Sequence, residues 1–249
     1  LFPKTKDELK QMIEDEISKN GNECSLNHID VSKITDMYAI FAHSKFNGDI
    51  SKWDVSNVKD MRYMFYEAKF NGDISYWDVS NVTDMSRMFA CSKYTSKKGD
   101  ISYWDVSNVT DMSQMFMETK FNGDISEWDV SNVNNMNWMF AHSNFNGDIS
   151  RWDVSNVKNM GYMFKKTIFN SDISKWDVSN VEYMEGMFLG SEFNSDISNW
   201  NVSHVENMSC MFKDSIFDKD ISNWNVSRVK DMRGMFLSSP LQNNPPVWY

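Results

Sequence analysis

The chain has 249 residues, 41 % of them hydrophobic and 14 % aromatic, with a formal charge of −10. That acidic balance excludes wrapping of nucleic acid, whose phosphates need a clustered Lys/Arg surface, and no apolar run approaches the roughly 20 residues of a membrane span. Ten Gly and four Pro exclude a low-complexity linker, so the composition predicts a folded, soluble, acidic protein.

The first residues, LFPKTKDELK, lack the long apolar core of a signal peptide. Thr5-Lys6-Asp7-Glu8 reads as a capping box, and Leu9, Met12, Ile13 and Ile17 follow at helical spacing until Asn20-Gly21 supplies a stop. An amphipathic helix within residues 1–26 is expected to act as the lid on the first coil. Residues 27–240 are repetitive: FNGDISKWDVSNVKDMRYMF (46–65) returns as FNGDISYWDVSNVTDMSRMF after 24 residues. Full units start at Phe46, Phe70, Tyr94, Phe121, Phe145, Phe169, Phe193 and Phe217, after one degenerate unit. Only the unit from Tyr94 is longer, by three residues, where YTSKKGD replaces FNGD. Residues 241–249 form a C-terminal cap, in which Pro245-Pro246 cannot continue a ladder.

The unusual composition is repeat composition. Of 19 Met, 17 lie in the two columns of DMxxMF, and nine of ten Trp share one column, so these residues are read as stacked core rather than as a cofactor box. Alternation in I-S-x-W-D-V predicts a short strand with Trp and Val inward. The i, i+3, i+4 spacing of Met61, Met64 and Phe65 predicts one helical turn, N-capped by the preceding Asp (Asp36, Asp60, Asp84, Asp111, Asp231) or Asn (Asn135, Asn159, Asn207). Tyr183 breaks that column. Gly48, Gly72, Gly123 and Gly147 are free to take positive φ, but Ser171, Ser195 and Lys219 at the same place imply that φ > 0 is not required. The fold class expected is an α/β repeat solenoid, one short parallel strand plus one helical turn per 24-residue coil, nine strands spanning about 40 Å.

Ile50 to Val58, I-S-K-W-D-V-S-N-V, is similar to the leucine-rich-repeat pattern LxxLxLxxN, with Val58 in place of the asparagine. The continuation V-S-N-V-K-D-M-x-x-M-F resembles the BspA-like class of bacterial surface proteins and lipoproteins, and Cys91 falls at that class's Cys position. The resemblance runs from about Cys24 to Trp248. It implies a right-handed leucine-rich-repeat-like solenoid displayed outside the cell, on the bacterial cell surface, as a binding or adhesion module without catalytic residues.

Candidate chemistry lies in columns. Asp54, Asp78, Asp105, Asp129, Asp153 and Asp177, then Asn201 and Asn225, would stand about 5 Å apart. One reading is hydrogen bonding to Ser or amide groups; the other is a cation ladder holding Ca²⁺. A second column, Asp49 to Asp220, is read as Asx turns. His43 and His142 lie four coils apart and no catalytic motif is present, so no enzyme activity and no cofactor are expected. Cys24, Cys91 and Cys210 fall in coils separated by about 10 Å and 24 Å, beyond the ~7 Å reach of a disulfide.

Binding is expected where columns vary. The place before Trp reads Lys52, Tyr76, Tyr103, Glu127, Arg151, Lys175, Asn199, Asn223. By the resemblance it lies on the concave face, and Tyr76 and Tyr103 beside Lys52 have the composition of a hot spot. A second variable column includes Tyr63, Trp138 and Tyr162, with Trp138 as an exposed anchor. The partner expected is a host or neighbouring-cell protein or glycan, bound by a monomer. The alternative is a structural surface spacer, or a self-associating element, without a specific ligand.

Overall fold

In the computed structural model, which describes all 249 residues, helix α1 (Lys6–Asn20) precedes a run of stacked repeat units and a closing 3-10 turn at Pro240–Gln242. Thr5 Oγ1 accepts the Glu8 N–H at 3.2 Å and Glu8 Oε2 accepts the Lys4 N–H at 2.6 Å, so the capping residues do satisfy the first turn. Gly21, at φ 82°, ends the helix by donating to Ile17 O at 2.8 Å. Leu9 and Ile13 are buried against the first unit, and Lys6 Nζ ties the helix to Asp36 at 2.7 Å. The helix lies where its capping residues and apolar spacing predict it.

The repeat columns form one continuous core of 71 buried residues. In the unit from Phe121 to Asn144, Phe121, Ile125, Trp128, Val130, Val133, Met136, Met139 and Phe140 are all 3 % exposed or less. Phe rings of successive units stack 5.5–6.0 Å apart from Phe41 to Phe236. The chain is a tandem-repeat protein, mostly neither helix nor sheet.

The local conformations differ from the expectation in an instructive way. No strand forms at I-S-x-W-D-V; Trp128 N–H bonds back to Ile125 O and Val133 N–H to Val130 O, two successive turns. No helical turn forms at DMxxMF; that stretch carries the pairing between units. Met136, Trp138, Phe140 and His142 donate N–H groups to Asn159, Gly161, Met163 and Lys165 of the following unit at 2.8–3.0 Å, with parallel bridging at Asn135↔Asn159. Every second residue thus donates forward while the chain still turns, because Trp138 (φ 58°) and His142 (φ 57°) are left-handed. Their equivalents, such as Tyr63 and Glu67, are left-handed too. A turn with one left-handed residue brings i, i+3 and i+4 inward just as a helical turn does, which is why the spacing misleads.

The Asp and Asn residues expected as helix N-caps instead close Asx turns, Asp84 Oδ1 accepting the Ser86 N–H at 2.9 Å and Asn159 Oδ1 that of Gly161 at 2.9 Å. Positive φ is absent at Gly48, Gly72, Gly123 and Gly147, as the Ser and Lys replacements imply. Glycine there relieves crowding: a methyl at Gly72 would meet the Phe70 ring at 2.7 Å. Tyr94 fills the Phe slot, fully buried, and donates its hydroxyl to Gly99 O at 3.3 Å across the insertion.

Candidate binding surface

Each unit brings its Trp to the same place because the turn from Ile to Trp points both inward. The indole does more than fill space. Trp128 Nε1 donates to Ile101 O of the preceding unit at 3.0 Å, and the same bond recurs from Trp53 to Trp248 at 3.0–3.2 Å. The residue just before Trp is pushed outward. Tyr76 and Tyr103 in that column are 88 % and 89 % exposed, with Lys52 exposed one unit earlier. Further along, Arg151 Nη1 pairs with Glu127 Oε1 at 3.1 Å, and Lys175 is exposed.

The second variable column sits differently. Trp138 is half-buried, stacked on Tyr162 at 4.5 Å, and Lys165 Nζ lies over both rings at 4.4 and 5.4 Å. Burial depresses the Lys165 ammonium and raises the Tyr162 phenol. Tyr63 packs between Tyr38 and Tyr66 at 5.6 and 5.4 Å, with the Arg87 guanidinium over its ring and hydrogen-bonded to its hydroxyl. Trp138 is therefore not a free anchor: a left-handed backbone lays it along the stack against its neighbour. No ring contact or ion pair joins this column to Tyr76 and Tyr103.

The acidic columns are consumed locally. Asp105 Oδ1 accepts both the N–H of Ser107 at 3.1 Å and its hydroxyl at 2.6 Å. The Ser80 and Ser179 hydroxyls, followed by their amides, hold Asp78 and Asp177 below the usual carboxylate range. Asn201 and Asn225 keep the same turn, accepting from Ser203 and Ser227 at 3.2 Å. Asp129 and Asp153 do likewise at 3.0 Å, and Asp54 at 3.1 Å. Asp49 to Asp220 form the expected second set of Asx turns, with Ser amides 2.9–3.0 Å away. No three His, Cys, Asp or Glu side chains are grouped as a metal site would need. Cys24, Cys91 and Cys210 are free thiols, and burial beside Glu118 pushes Cys91 up to about 11.

Two further ladders escaped the reading of the sequence. Asn57, Asn81, Asn108, Asn132, Asn156 and Asn180 donate Nδ2 to a Ser carbonyl of the preceding unit at 2.7–2.8 Å. Asn47, Asn71, Asn122, Asn146, Asn170 and Asn194 accept a backbone N–H from the following unit at 2.7–3.1 Å. Their signal was available: a polar residue fixed in a column that is not a turn requirement. Where the first ladder breaks, at His204 and Arg228, an open groove of about 490 Å³ is lined wholly by polar residues, including Lys158, Glu182 and Glu206.

The sequence matches the family DUF285, described as "Mycoplasma protein of unknown function", over residues 7–97, 90–192 and 166–248. The chain belongs to DUF285. Three overlapping matches to one DUF285 profile along a single chain are what tandem repetition produces, in agreement with the 24-residue bonding register. No curated protein and no solved structure matches. DUF285 membership thus establishes a repeat protein and leaves its activity to be argued from the surface.

Proposed function

We propose that this DUF285 chain is a non-enzymatic binding module of the BspA-like kind, a right-handed leucine-rich-repeat-like solenoid that presents a variable column to a host protein or glycan at the bacterial cell surface. The observation that carries this reading is the pair Tyr76 and Tyr103, left 88 % and 89 % exposed in neighbouring units. The column does not demand aromatics, since Glu127, Arg151 and Asn199 hold it elsewhere. Burying two such rings, at about 150 Å² each and about 25 cal/mol per Å², contributes about 7 kcal/mol before association costs. A non-enzymatic role is supported by the two Asp columns, whose oxygens are engaged in Asx turns.

One observation favours the alternative of a self-associating surface element. In the last unit the N–H groups of Met232, Gly234 and Phe236, which every earlier unit uses to bond forward, have no acceptor. The two readings separate in one experiment. The protein is screened against host matrix proteins and a glycan array, and Tyr76→Ala/Tyr103→Ala is tested on whatever is captured. Loss of capture with an unchanged melting curve supports the binding module; capture that survives the double substitution refutes it.

A further inference from the structure

We infer that one edge of the stack binds a linear sulfated polysaccharide through a single file of lysines. The residue just before each unit's first aromatic is Lys45, Lys69, Lys93 and Lys120 in four successive units. All four side chains are exposed and none takes part in an ion pair, although the protein carries a net charge of −10. The position itself does not need lysine: Asn144, Ile168, Glu192 and Ile216 occupy it in the later units.

Register makes the row regular. Lys69 N–H bonds to Ser44 O and Lys93 N–H to Ala68 O, each at 3.0 Å, so neighbouring lysine backbones run at the inter-unit spacing of about 5 Å. The only insertion that breaks the 24-residue period starts two residues after Lys93 and adds the exposed Lys97 and Lys98. Exposed carboxylates stand close by in sequence: Glu67 and Glu118 two residues before Lys69 and Lys120, Asp100 two residues after Lys98, and Asp49 and Asp124 four residues after Lys45 and Lys120. Glu67 is bonded to His43 at 3.0 Å, and Glu118 accepts the Cys91 thiol at 3.8 Å. Asp49, Asp100 and Asp124 accept the amides of Ser51, Ser102 and Ser126 in their own turns, and none of the six lysines is paired with any of these carboxylates.

Unit charges about 5 Å apart in water repel by about 1 kcal/mol per neighbouring pair. An unpaired row held in fixed register against that repulsion fits a partner that brings its own evenly spaced negative charge. The row is about 15 Å long and one side chain wide. It therefore suits a single polymer chain laid along the stack, rather than a lone anion or the two-stranded cylinder of duplex DNA, which the net charge also repels. This edge is distinct from the tyrosine column, and the inference stands or falls without it.

The test is binding of the full chain to heparin, inorganic polyphosphate and a 20-base-pair duplex at 50, 150 and 500 mM NaCl. The comparison variant replaces Lys45, Lys69, Lys93 and Lys120 together by Asn, the residue the fold accepts at Asn144, and its melting curve reports whether it folds. Heparin is expected to bind, with log Kd rising by about 3 per tenfold increase in salt. The fourfold variant is expected to lose at least tenfold in affinity and most of that salt slope. Replacing Lys4, Lys10, Lys19 and Lys213 by Asn is expected to change heparin affinity less than threefold. Absence of heparin binding at 50 mM NaCl, equal binding by the folded fourfold variant, or tighter binding of polyphosphate or the duplex than of heparin would each overturn the inference.

Discussion

Replacing Trp128 by Phe tests whether the indole ladder is a bonded structure or only bulk. Trp128 is 3 % exposed, its Nε1 donates to Ile101 O at 3.0 Å, and its ring lies 6.3 Å from Phe116 and 6.5 Å from Trp104. Ile101 O also accepts the Trp104 N–H at 3.2 Å, so Phe at 128 removes one of two bonds and does not orphan the carbonyl. The lost hydrogen bond accounts for about 1 kcal/mol. Shrinking a buried indole to a phenyl, with partial collapse of the space, adds about 1 to 2 kcal/mol. The expected loss is about 2 to 3 kcal/mol in urea unfolding at constant m-value. Trp248→Phe removes the equivalent 3.1 Å bond at a part-buried end, where water replaces the donor, and should cost about 1 kcal/mol. A Trp128→Phe loss below 0.5 kcal/mol, or equal losses at the two sites, would refute the ladder as a source of stability.

Glu185 stands where other units carry Ser86, Ser113 and Ser209, and its carboxyl folds over Gly161, where a methyl would meet Glu185 Oε1 at 2.7 Å. Its Oε2 is buried without a partner, and desolvation raises the carboxyl above the ordinary glutamate range. A raised carboxyl binds its proton more tightly folded than unfolded, so stability falls as pH rises from about 4.3 through the folded value. Glu185→Ser should stabilise the protein by about 1 kcal/mol at pH 7 and lose that advantage near pH 4, read from the difference in Tm; an advantage that does not change with pH would contradict the burial. Asp129→Asn should lie within 0.5 kcal/mol of the parent, because Asn201 and Asn225 already make this turn, whereas Asp129→Ala should lose about 1 kcal/mol. Chelator should leave Tm unchanged in both parent and variant; a drop of several degrees in the parent alone would restore the cation ladder.

Some of this structure was plain in the residues. Columns of Phe, Ile, Trp, Val and Met that recur every 24 positions have to face one another, and every one of them in the full units up to Trp224 is buried. The lid helix was equally plain from Thr5, Glu8 and its stripe of Leu9 and Ile13. The path between the columns was hidden. Met61, Met64 and Phe65 share their spacing with a helical turn, and nothing in the identity of Tyr63 or Glu67 announces a left-handed φ. Such positions cost of order 1 kcal/mol or more each for a side-chain-bearing residue, and Gly occupies them only at Gly186, Gly190 and Gly234. The strain is tolerated because left-handed residues such as Tyr63, Glu67, Trp138 and His142 also donate to the next unit, a long-range bond that local propensity does not register. Tyr76 and Tyr103 were legible as exposed because alternation with Trp forces them outward. Trp138 was not, since its surroundings come from Tyr162, a full unit away.

The forward bonds between units have a mechanical consequence. Met136, Trp138, Phe140 and His142 hold the next unit by bonds that lie side by side, so a load spread across them would have to break them together. A pull on the two chain termini instead reaches the stack at its last layers, where each layer is gripped by a single neighbour. Tension therefore peels the stack from an end, and each 24-residue layer releases about 80 Å of chain. A protein made this way lengthens in equal steps under tension while the layers behind the break stay shut.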